Sequence, residues 1–219
     1  MGFSQTLAFN LPASYEATYS VSRGGKAMAK QTTTYLSSAK QHKLSDSTEG
    51  THGLASFTGF KRTETTLFET AQGKVTSIDH NMRQKVAFKK KSYQFKLSAT
   101  ENTINGKNKK PFKIETHIKP ISSHMLPLWL SAQVCKKASS QVKKISIPVL
   151  KSKNIKTYDF NIYAEAEHLI RVERVYPTDS QKSSMIWLNK NTNCLPVKTL
   201  HKETDEPVIE TTLLTHNLL

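Results

Sequence analysis

The stretch YEATYSVS, residues 15–22, indicates the fold class, because apolar and polar side chains alternate along it. An alternation with a period of two residues is typical of a β-strand with one buried face. The RGGK that follows, residues 23–26, predicts a hairpin turn, since glycine adopts positive φ angles without strain. Residues 26–37, rich in threonine and containing Tyr35, predict the returning strand, because these residue types favour a pleated surface.

The same alternation recurs through the chain and predicts about a dozen strands separated by turns. Gln72-Gly73 and Asn105-Gly106 are expected turns, and the polar residues 42–52 are expected to form a solvated loop. An antiparallel sheet with one buried face and one solvent-exposed face accounts for this pattern. The other strand candidates are residues 57–70, 74–79, 93–100, 112–119, 145–149, 158–164, 168–176, 185–189, 196–202 and 207–214.

One segment, residues 122–137, departs from the period of two. Its apolar residues recur at helical spacing, and Pro127 fits only a first helical turn, so we predict an amphipathic helix that begins near Leu126. Ser122 or Ser123 can cap it. Such a helix must cover part of the apolar face of the sheet. The helix residues that we expect to contact the sheet or line a cleft beside it are Met125, Leu128, Trp129 and Ala132.

The chain shows no internal repeat and no Pro-rich linker, so we predict a single β-rich domain over residues 1–219. Residues 1–10 are expected to be a flexible start, left after removal of a leader. The alternative for this start is N-myristoylation at Gly2, whose pattern includes a hydroxyl residue at Thr6. Cys135 and Cys194 can form a disulfide in an oxidising compartment and would be free thiols in the cytosol.

The net charge of +15 is concentrated in one part of the chain. Residues 85–156 contain 17 lysines, no arginine and two acids, whereas the remaining residues are neutral in sum. Lysine is a hydrated point charge without the planar fork of arginine. The composition therefore favours a diffuse, salt-sensitive attraction to an anionic surface over the reading of base edges.

Two lysine groups lie beside aromatic strand residues at or next to the predicted turns. Three interpretations remain open for them: protection of strand edges against aggregation, contact with an anionic lipid or envelope polymer, and binding of single-stranded nucleic acid. We regard nucleic acid as the least favoured partner. The candidate residues for an anionic surface are Lys89, Lys90, Lys91, Lys107, Lys109 and Lys110.

Motifs that carry catalytic chemistry are missing from the sequence. It has no glycine-rich phosphate loop, no GxSxG and no HExxH, and its eight histidines are scattered, so we expect no catalytic residue, no cofactor and no bound metal. His42 and His52, with Asp46 and Glu49 between them, could form a surface metal site, but a solvated loop is the favoured interpretation.

A hydrolase is the third function class that the sequence leaves open. Glu165 and Glu167 lie two residues apart on a predicted strand, and such a pair of carboxylates can flank a substrate. A solvated rim uses the same residues, and we favour that interpretation.

Short motifs at both ends and in the middle of the chain resemble a bacterial family, the domain of unknown function 3108. These motifs are WLNKN at 187–191 with LPVK at 195–198 and ETDE at 203–206, LPASYEATY at 11–19, and LWLSA at 128–132. The resemblance implies an exported envelope protein of Gram-negative bacteria with a curved, half-open antiparallel barrel akin to periplasmic lipoprotein carriers. It implies no catalytic residues.

We therefore expect a mainly β protein, with about ten to twelve strands in one curved antiparallel sheet or half-open barrel and one amphipathic helix on the concave face. The expected function is that of a non-enzymatic periplasmic protein that binds or carries a lipid, or another apolar or anionic envelope ligand, in a concave cleft. Peripheral contact with the membrane belongs to this expectation. The alternative is binding of a polyanion or nucleic acid through the basic residues 85–156.

Overall fold

The computed structural model describes residues 11–98, 100–135 and 144–219. The expected flexible start at residues 1–10 lies outside these ranges. Within them, one sheet contains fifteen strands. The strands are β1 (Tyr15–Arg23), β2 (Lys26–Ser37), β3 (Gln41–Gly50), β4 (Lys61–Ala71), β5 (Lys74–Val86), β6 (Lys89–Leu97), β7 (Thr103–Asn108), β8 (Lys110–Glu115), β9 (Ile121–Ser122), β10 (Lys144–Lys151), β11 (Asn154–Ala164), β12 (Leu169–Arg174), β13 (Ser183–Asn189), β14 (Leu195–Lys202) and β15 (Ile209–Leu218).

The order of the strands places the two ends of the described chain in the middle of the sheet. From one edge to the other, the order is β8 back to β1, followed by β15 back to β9. β1 pairs antiparallel with β15, with Tyr15 opposite Leu218, and β9 alone pairs in parallel, with β10. The Tyr93 hydroxyl of β6 donates a hydrogen bond to the carbonyl of Ser152, in the turn between β10 and β11. We call strands β1 to β8 the N-terminal arm of the sheet and strands β9 to β15 its C-terminal arm. The open sheet therefore curves until these two arms meet.

The expectation of ten to twelve strands is wrong, since the sheet has fifteen. The expected loop at residues 42–52 is wrong, because most of it belongs to β3. The interior positions of β3 include His42, Leu44 and Thr48, all of which are buried. Because this strand turns mostly polar side chains toward the interior, it lacks the apolar alternation that marks its neighbours.

Of the two predicted turns that contain glycine, one is present and the other is part of a strand. Gln72-Gly73 forms the expected turn, with both residues at positive φ. Asn105-Gly106 instead lies inside β7, and the following turn is at Lys109, whose φ is +60°. A Cβ atom on Gly106 would lie 2.3 Å from Cζ of Phe112, so glycine at this position permits close packing within the strand pair.

The predicted helix is present, but it is not amphipathic. A 3-10 turn, Ser123–Met125, leads into α2, Leu126–Val134, and the Ser122 hydroxyl accepts a hydrogen bond from the backbone N–H of Met125. Most of its side chains are buried, including Leu130 and Val134. The helix lies inside the curve of the sheet and is enclosed, so it needs no polar face.

A second, short helix was not predicted. α1, Gly53–Phe57, connects β3 to β4 and includes the first residue of the expected strand 57–70. None of its residues is buried.

The interior of the curved sheet forms the core. Tyr15, Ala17, Tyr19 and Val21, the apolar positions of the opening stretch, are all buried, which confirms the predicted face of β1. The side chains of α2 pack against these and the other inward residues. The concave face is therefore occupied by the helix of the same chain.

Candidate functional site

A chain of hydrogen-bonding side chains crosses the interior of the sheet. Thr66 of β4 is at its centre, with Oγ1 2.8 Å from Nδ1 of His80 and 2.8 Å from Nδ1 of His124. A hydroxyl can donate to one of these nitrogens and accept from the other. Beyond His80, Glu64 Oε1 lies 3.5 Å from the Nε2 atom, and beyond His124, Asp46 Oδ2 lies 3.4 Å from the Nε2 atom. We call these five residues the interior polar chain.

The histidine at the middle of β5 is held neutral. Burial, followed by the charges of His124 and Arg62, lowers the pKa of His80 to about 3. Its neighbour Glu64 is buried and accepts hydrogen bonds from the guanidinium of Arg62, with Nε at 3.0 Å. The Glu64 carboxylate, at one end of the interior polar chain, is therefore neutralised by Arg62 of the same strand.

Three members of the interior polar chain could hold a metal ion. Glu64, His80 and His124 each offer one ligand atom, and these atoms all lie within 4.8 Å of one another. Imidazole nitrogen and carboxylate oxygen are ligands that Zn²⁺ takes in proteins. The predicted surface pair is not brought together, because His42 lies inside the sheet at the start of β3 and His52 is exposed beyond its end.

A cavity of about 230 Å³ adjoins the interior polar chain, between strands β1 to β3, β14 and β15 and the beginning of α2. Asp46, His124 and Leu128 line it together with Tyr15 and Tyr19 of β1. Burial, and secondarily the charge of Asp46, raises the pKa of the Tyr19 phenol, and burial is also the main cause of the raised pKa of Tyr15. Both phenols are therefore neutral at physiological pH.

The four predicted cleft residues of the helix belong to the core. Met125, Leu128, Trp129 and Ala132 are all buried, and Leu128 is the one that also lines the cavity of about 230 Å³. The structure therefore brings them together on the concave face, in contact with the sheet.

The two cysteines form a disulfide that attaches the end of α2 to the start of β14. Cys135 and Cys194 have Cα atoms 6.2 Å apart, within the range that a disulfide spans. The hydroxyl of Ser131, one helical turn earlier, donates a 2.7 Å hydrogen bond to the carbonyl of Cys194. These two bonds fix the helix to the C-terminal arm of the sheet.

The six predicted surface lysines lie on β6 and on the hairpin β7–β8. All six are exposed: Lys89, Lys90, Lys91, Lys107, Lys109 and Lys110. Because successive antiparallel strands reverse direction, the turns β5–β6 and β7–β8 lie at the same end of the sheet as the connection β3–β4. We call this end the lysine-rich end.

Three exposed apolar side chains lie at the lysine-rich end. Leu54 and Phe57 of α1 are 76% and 89% exposed, and Phe88 in the turn β5–β6 is fully exposed. The backbone N–H of Ala87 donates a 2.7 Å hydrogen bond to the carbonyl of Thr58, so α1 and this turn are adjacent. We call Leu54, Phe57 and Phe88 the apolar tip.

A groove of about 390 Å³ on strands β4 to β6 is lined, in the part of the chain that the structure describes, by five cationic side chains and no acidic one. In the strand register, Lys85 lies opposite both Lys61 and Lys90. The positive charges of these three lysines repel one another and destabilise the sheet. Lys61 pairs with Glu49 at 2.7 Å, and the other four cations make no ion pair within the described ranges. The cations of this basic groove are Lys61, Arg83, Lys85, Lys90 and Lys91.

A larger groove, of about 870 Å³, runs along β3 to β8 and contains charges of both signs. Lys107 lies in it with the acids Glu69 and Glu101, and its second lysine, Lys96, is paired with Asp79 at 2.7 Å. The larger groove is therefore a less favourable binding site for an anion than the basic groove.

The carboxylates considered for hydrolysis lie in and beside the turn between β11 and β12. Glu165 makes an ion pair with Arg171 at 2.5 Å and accepts a 2.9 Å hydrogen bond from the Trp187 indole, and Glu167 is exposed. Glu165 therefore has a structural role in the contact between β12 and β13.

Comparison with known proteins supports the fold. No family model and no curated protein matches the chain. Among solved structures, a β-barrel-like protein of the domain of unknown function 1849 from Brucella abortus is similar with a TM-score of 0.62 and 9% identity, over 97% of this chain and 100% of that one. The hypothetical protein CT021 from Chlamydia trachomatis has a TM-score of 0.36 and 15% identity, over 95% of this chain and 89% of that one. This chain thus shares the architecture of an uncharacterised β-barrel-like protein.

Within the described residues, no helix is both long and apolar enough to cross a membrane.

Proposed function

We propose that this chain is a non-enzymatic protein of the bacterial envelope that binds an anionic lipid surface through its lysine-rich end. The observation that carries the proposal is the apolar tip standing beside the basic groove. Exposed aromatic side chains can enter the acyl region of a bilayer while lysines contact anionic headgroups. A periplasmic location is part of the proposal.

The charge of the basic groove supports an anionic partner. Five cations and no acid line it among the described residues, and three of the cations, Lys61, Lys85 and Lys90, face one another across adjacent strands. Their mutual repulsion costs stability in the free protein, and an anion bound between them would relieve it. A lipid phosphate is an anion of suitable size and charge.

The apolar tip favours a membrane over a soluble polyanion. Leu54, Phe57 and Phe88 are exposed large apolar residues whose burial in a bilayer would each contribute about 1.5–3 kcal/mol. In a complex with nucleic acid, at least Leu54 and Phe57 would stay in water, because α1 has no cationic residue that could contact the phosphates. The proposed lipid contact is at the surface, since α2 packs against the concave face where we had expected a cleft.

The disulfide supports an exported location. Bonds such as Cys135–Cys194 persist in the periplasm and are rare in the cytosol. Membership of the family of unknown function 3108 remains part of this proposal and is supported by the quoted motifs.

Cosedimentation with vesicles tests the proposal. The oxidised full chain is mixed with vesicles of phosphatidylcholine alone or with one-quarter phosphatidylglycerol, at low and at physiological salt. We expect binding to the anionic vesicles only. The double variant K85E/K90E should bind at least about 30-fold more weakly, from about 1 kcal/mol for each lysine lost. The variant F57S/F88S should lose about tenfold or more while keeping its salt dependence.

The matched control is K40E/K74E, which changes the net charge equally at two exposed lysines of the opposite end of the sheet. It should bind nearly as well as the wild type. Equal losses in both charge variants would show that net charge alone drives binding and would contradict a defined surface. Tight binding to double-stranded DNA that F57S/F88S leaves unchanged, with no binding to vesicles, would instead identify a polyanion-binding protein.

A further inference from the structure

The cavity of about 230 Å³ carries an inference that is independent of the lysine-rich end. It lies inside the sheet, with β1, β2, β3, β14 and β15 on one side and the start of α2 on the other. Its wall is apolar at Leu44 and Leu128 and polar at Asp46 and His124. Its volume is that of about eight liquid water molecules, which suits a ligand of about eight to ten non-hydrogen atoms.

A polar atom that lacks a partner adjoins this cavity. His124 Nε2 is buried and makes no hydrogen bond within the described ranges, with the side chain only 3% exposed. The phenol side chains of Tyr15 and Tyr19 line the same space. Buried polar groups in native proteins are almost always satisfied, so this unpartnered imidazole nitrogen beside an open space indicates an occupant.

The charge of the cavity is opposite to that of the protein. Asp46 is its carboxylate, and among the described residues no lysine or arginine lines it. The two Asp46 oxygens accept hydrogen bonds from Gln31 Nε2 at 2.9 Å and Thr33 Oγ1 at 2.7 Å, both neutral donors. Neither contact neutralises the carboxylate, and its third polar neighbour, His124 Nε2 at 3.4 Å, makes no hydrogen bond to it within the described ranges. The cavity therefore presents a carboxylate inside a protein whose net charge is +15.

We propose that this cavity binds a small organic cation, a primary amine or substituted ammonium with a compact apolar group. The ammonium would pair with the Asp46 carboxylate beside the side chains of Tyr15 and Tyr19, a combination that proteins use to recognise such cations. The apolar group would contact Leu44 and Leu128. An anionic or phosphate-bearing ligand is excluded by the same carboxylate.

Two ligands of one shape and different charge test the inference. Benzylammonium and benzyl alcohol are titrated calorimetrically into the full oxidised chain in the presence of EDTA, so that metal ions do not contribute. We expect benzylammonium to bind at least tenfold more tightly. D46N should abolish this difference, whereas D159N, at an exposed aspartate of β11, should retain it.

Equal binding of the two ligands to the wild type would overturn the inference even if D46N failed to fold. So would a ligand-soaked crystal structure that shows only water in the cavity. Y19F serves as a second variant with the charge intact: it should weaken benzylammonium several-fold while keeping its preference over the alcohol, and a lost preference would contradict the role assigned to Asp46.

Discussion

The ring of His42 lies inside the sheet, with its centroid 4.9 Å from that of Phe68. Its Nδ1 atom is 3.0 Å from the Tyr35 hydroxyl, and its Nε2 atom is 3.1 Å from the Thr70 hydroxyl. Burial lowers the pKa of His42 below its ordinary value of 6.5. Tyr35 is the titratable group that faces it, and because burial raises the pKa of Tyr35 to about 12, this neighbour is uncharged at neutral and acidic pH.

A stability that falls with acid follows from His42. Its folded pKa is lowered, so the unfolded chain binds a proton more readily below pH 6.5, and the stabilisation present above that pH is lost as the pH falls. The contribution is at most about 1.4 kcal/mol per pH unit. We expect the free energy of unfolding in urea to drop less between pH 7.5 and pH 5.5 in H42Q than in the wild type. H52Q, at an exposed histidine, is the control, and an unchanged drop in H42Q would contradict the assignment.

Among single residues, the sequence predicted those whose role follows from local pattern. The alternation at Tyr15 to Val21 located one inward face correctly. The interior polar chain was missed because its members are separated in sequence and meet only through strand register. The available signal was the spacing of two residues, which places Glu64 with Thr66, and His80 with Met82, on the same inward face.

At the level of elements, strands with apolar alternation could be predicted from the sequence, whereas a strand with mostly polar side chains could not. β2 was predicted with its observed bounds, whereas β3 was taken as a loop because its inward side includes His42 and Thr48. The helix was located correctly and was expected on the concave face, but the sequence predicted an amphipathic helix and not one in an enclosed position. That position depends on fifteen strands closing around it.

The disulfide connects α2 to β14 across 59 residues of chain, and its removal should destabilise the fold. Closing a loop of this length restricts the unfolded chain, so we expect C135S/C194S to unfold about 2–4 kcal/mol more easily than the oxidised wild type. Urea denaturation monitored by circular dichroism measures this difference. The wild type treated with dithiothreitol should match the variant, and the reductant should not change the variant further. Equal stability of oxidised and reduced wild type would show that the bond contributes nothing.

At the scale of the whole molecule, the antiparallel topology converts a local bias in sequence into a charged end. The lysines of β6 and of the hairpin β7–β8 are separated along the chain, yet alternate turns lie at one end of the sheet. Composition alone favours the proposed attraction to an anionic surface. The adjacent apolar tip depends on the contact between Ala87 and Thr58, which no sequence pattern shows.

The two arms of the sheet share one core, so the described chain should unfold as a unit. β1 pairs with β15 at the centre, and the segment that carries α2 contacts both arms, through Ser122 with Thr66 and through Ser131 with Cys194. Neither arm retains its interior contacts when the other unfolds. We therefore expect one cooperative transition in urea with the disulfide intact.

Two probes of different regions test this cooperativity. In the variant W187F, fluorescence reports Trp129 in the buried helix alone, while far-ultraviolet circular dichroism reports the whole sheet. The two midpoints should coincide, since the environment of Trp129 exists only while both arms enclose it. Because the disulfide attaches the helix to the C-terminal arm only, an independent N-terminal arm would melt first and lower the dichroism before the fluorescence changed. Separate midpoints would thus show that the curved sheet consists of two units that fold independently.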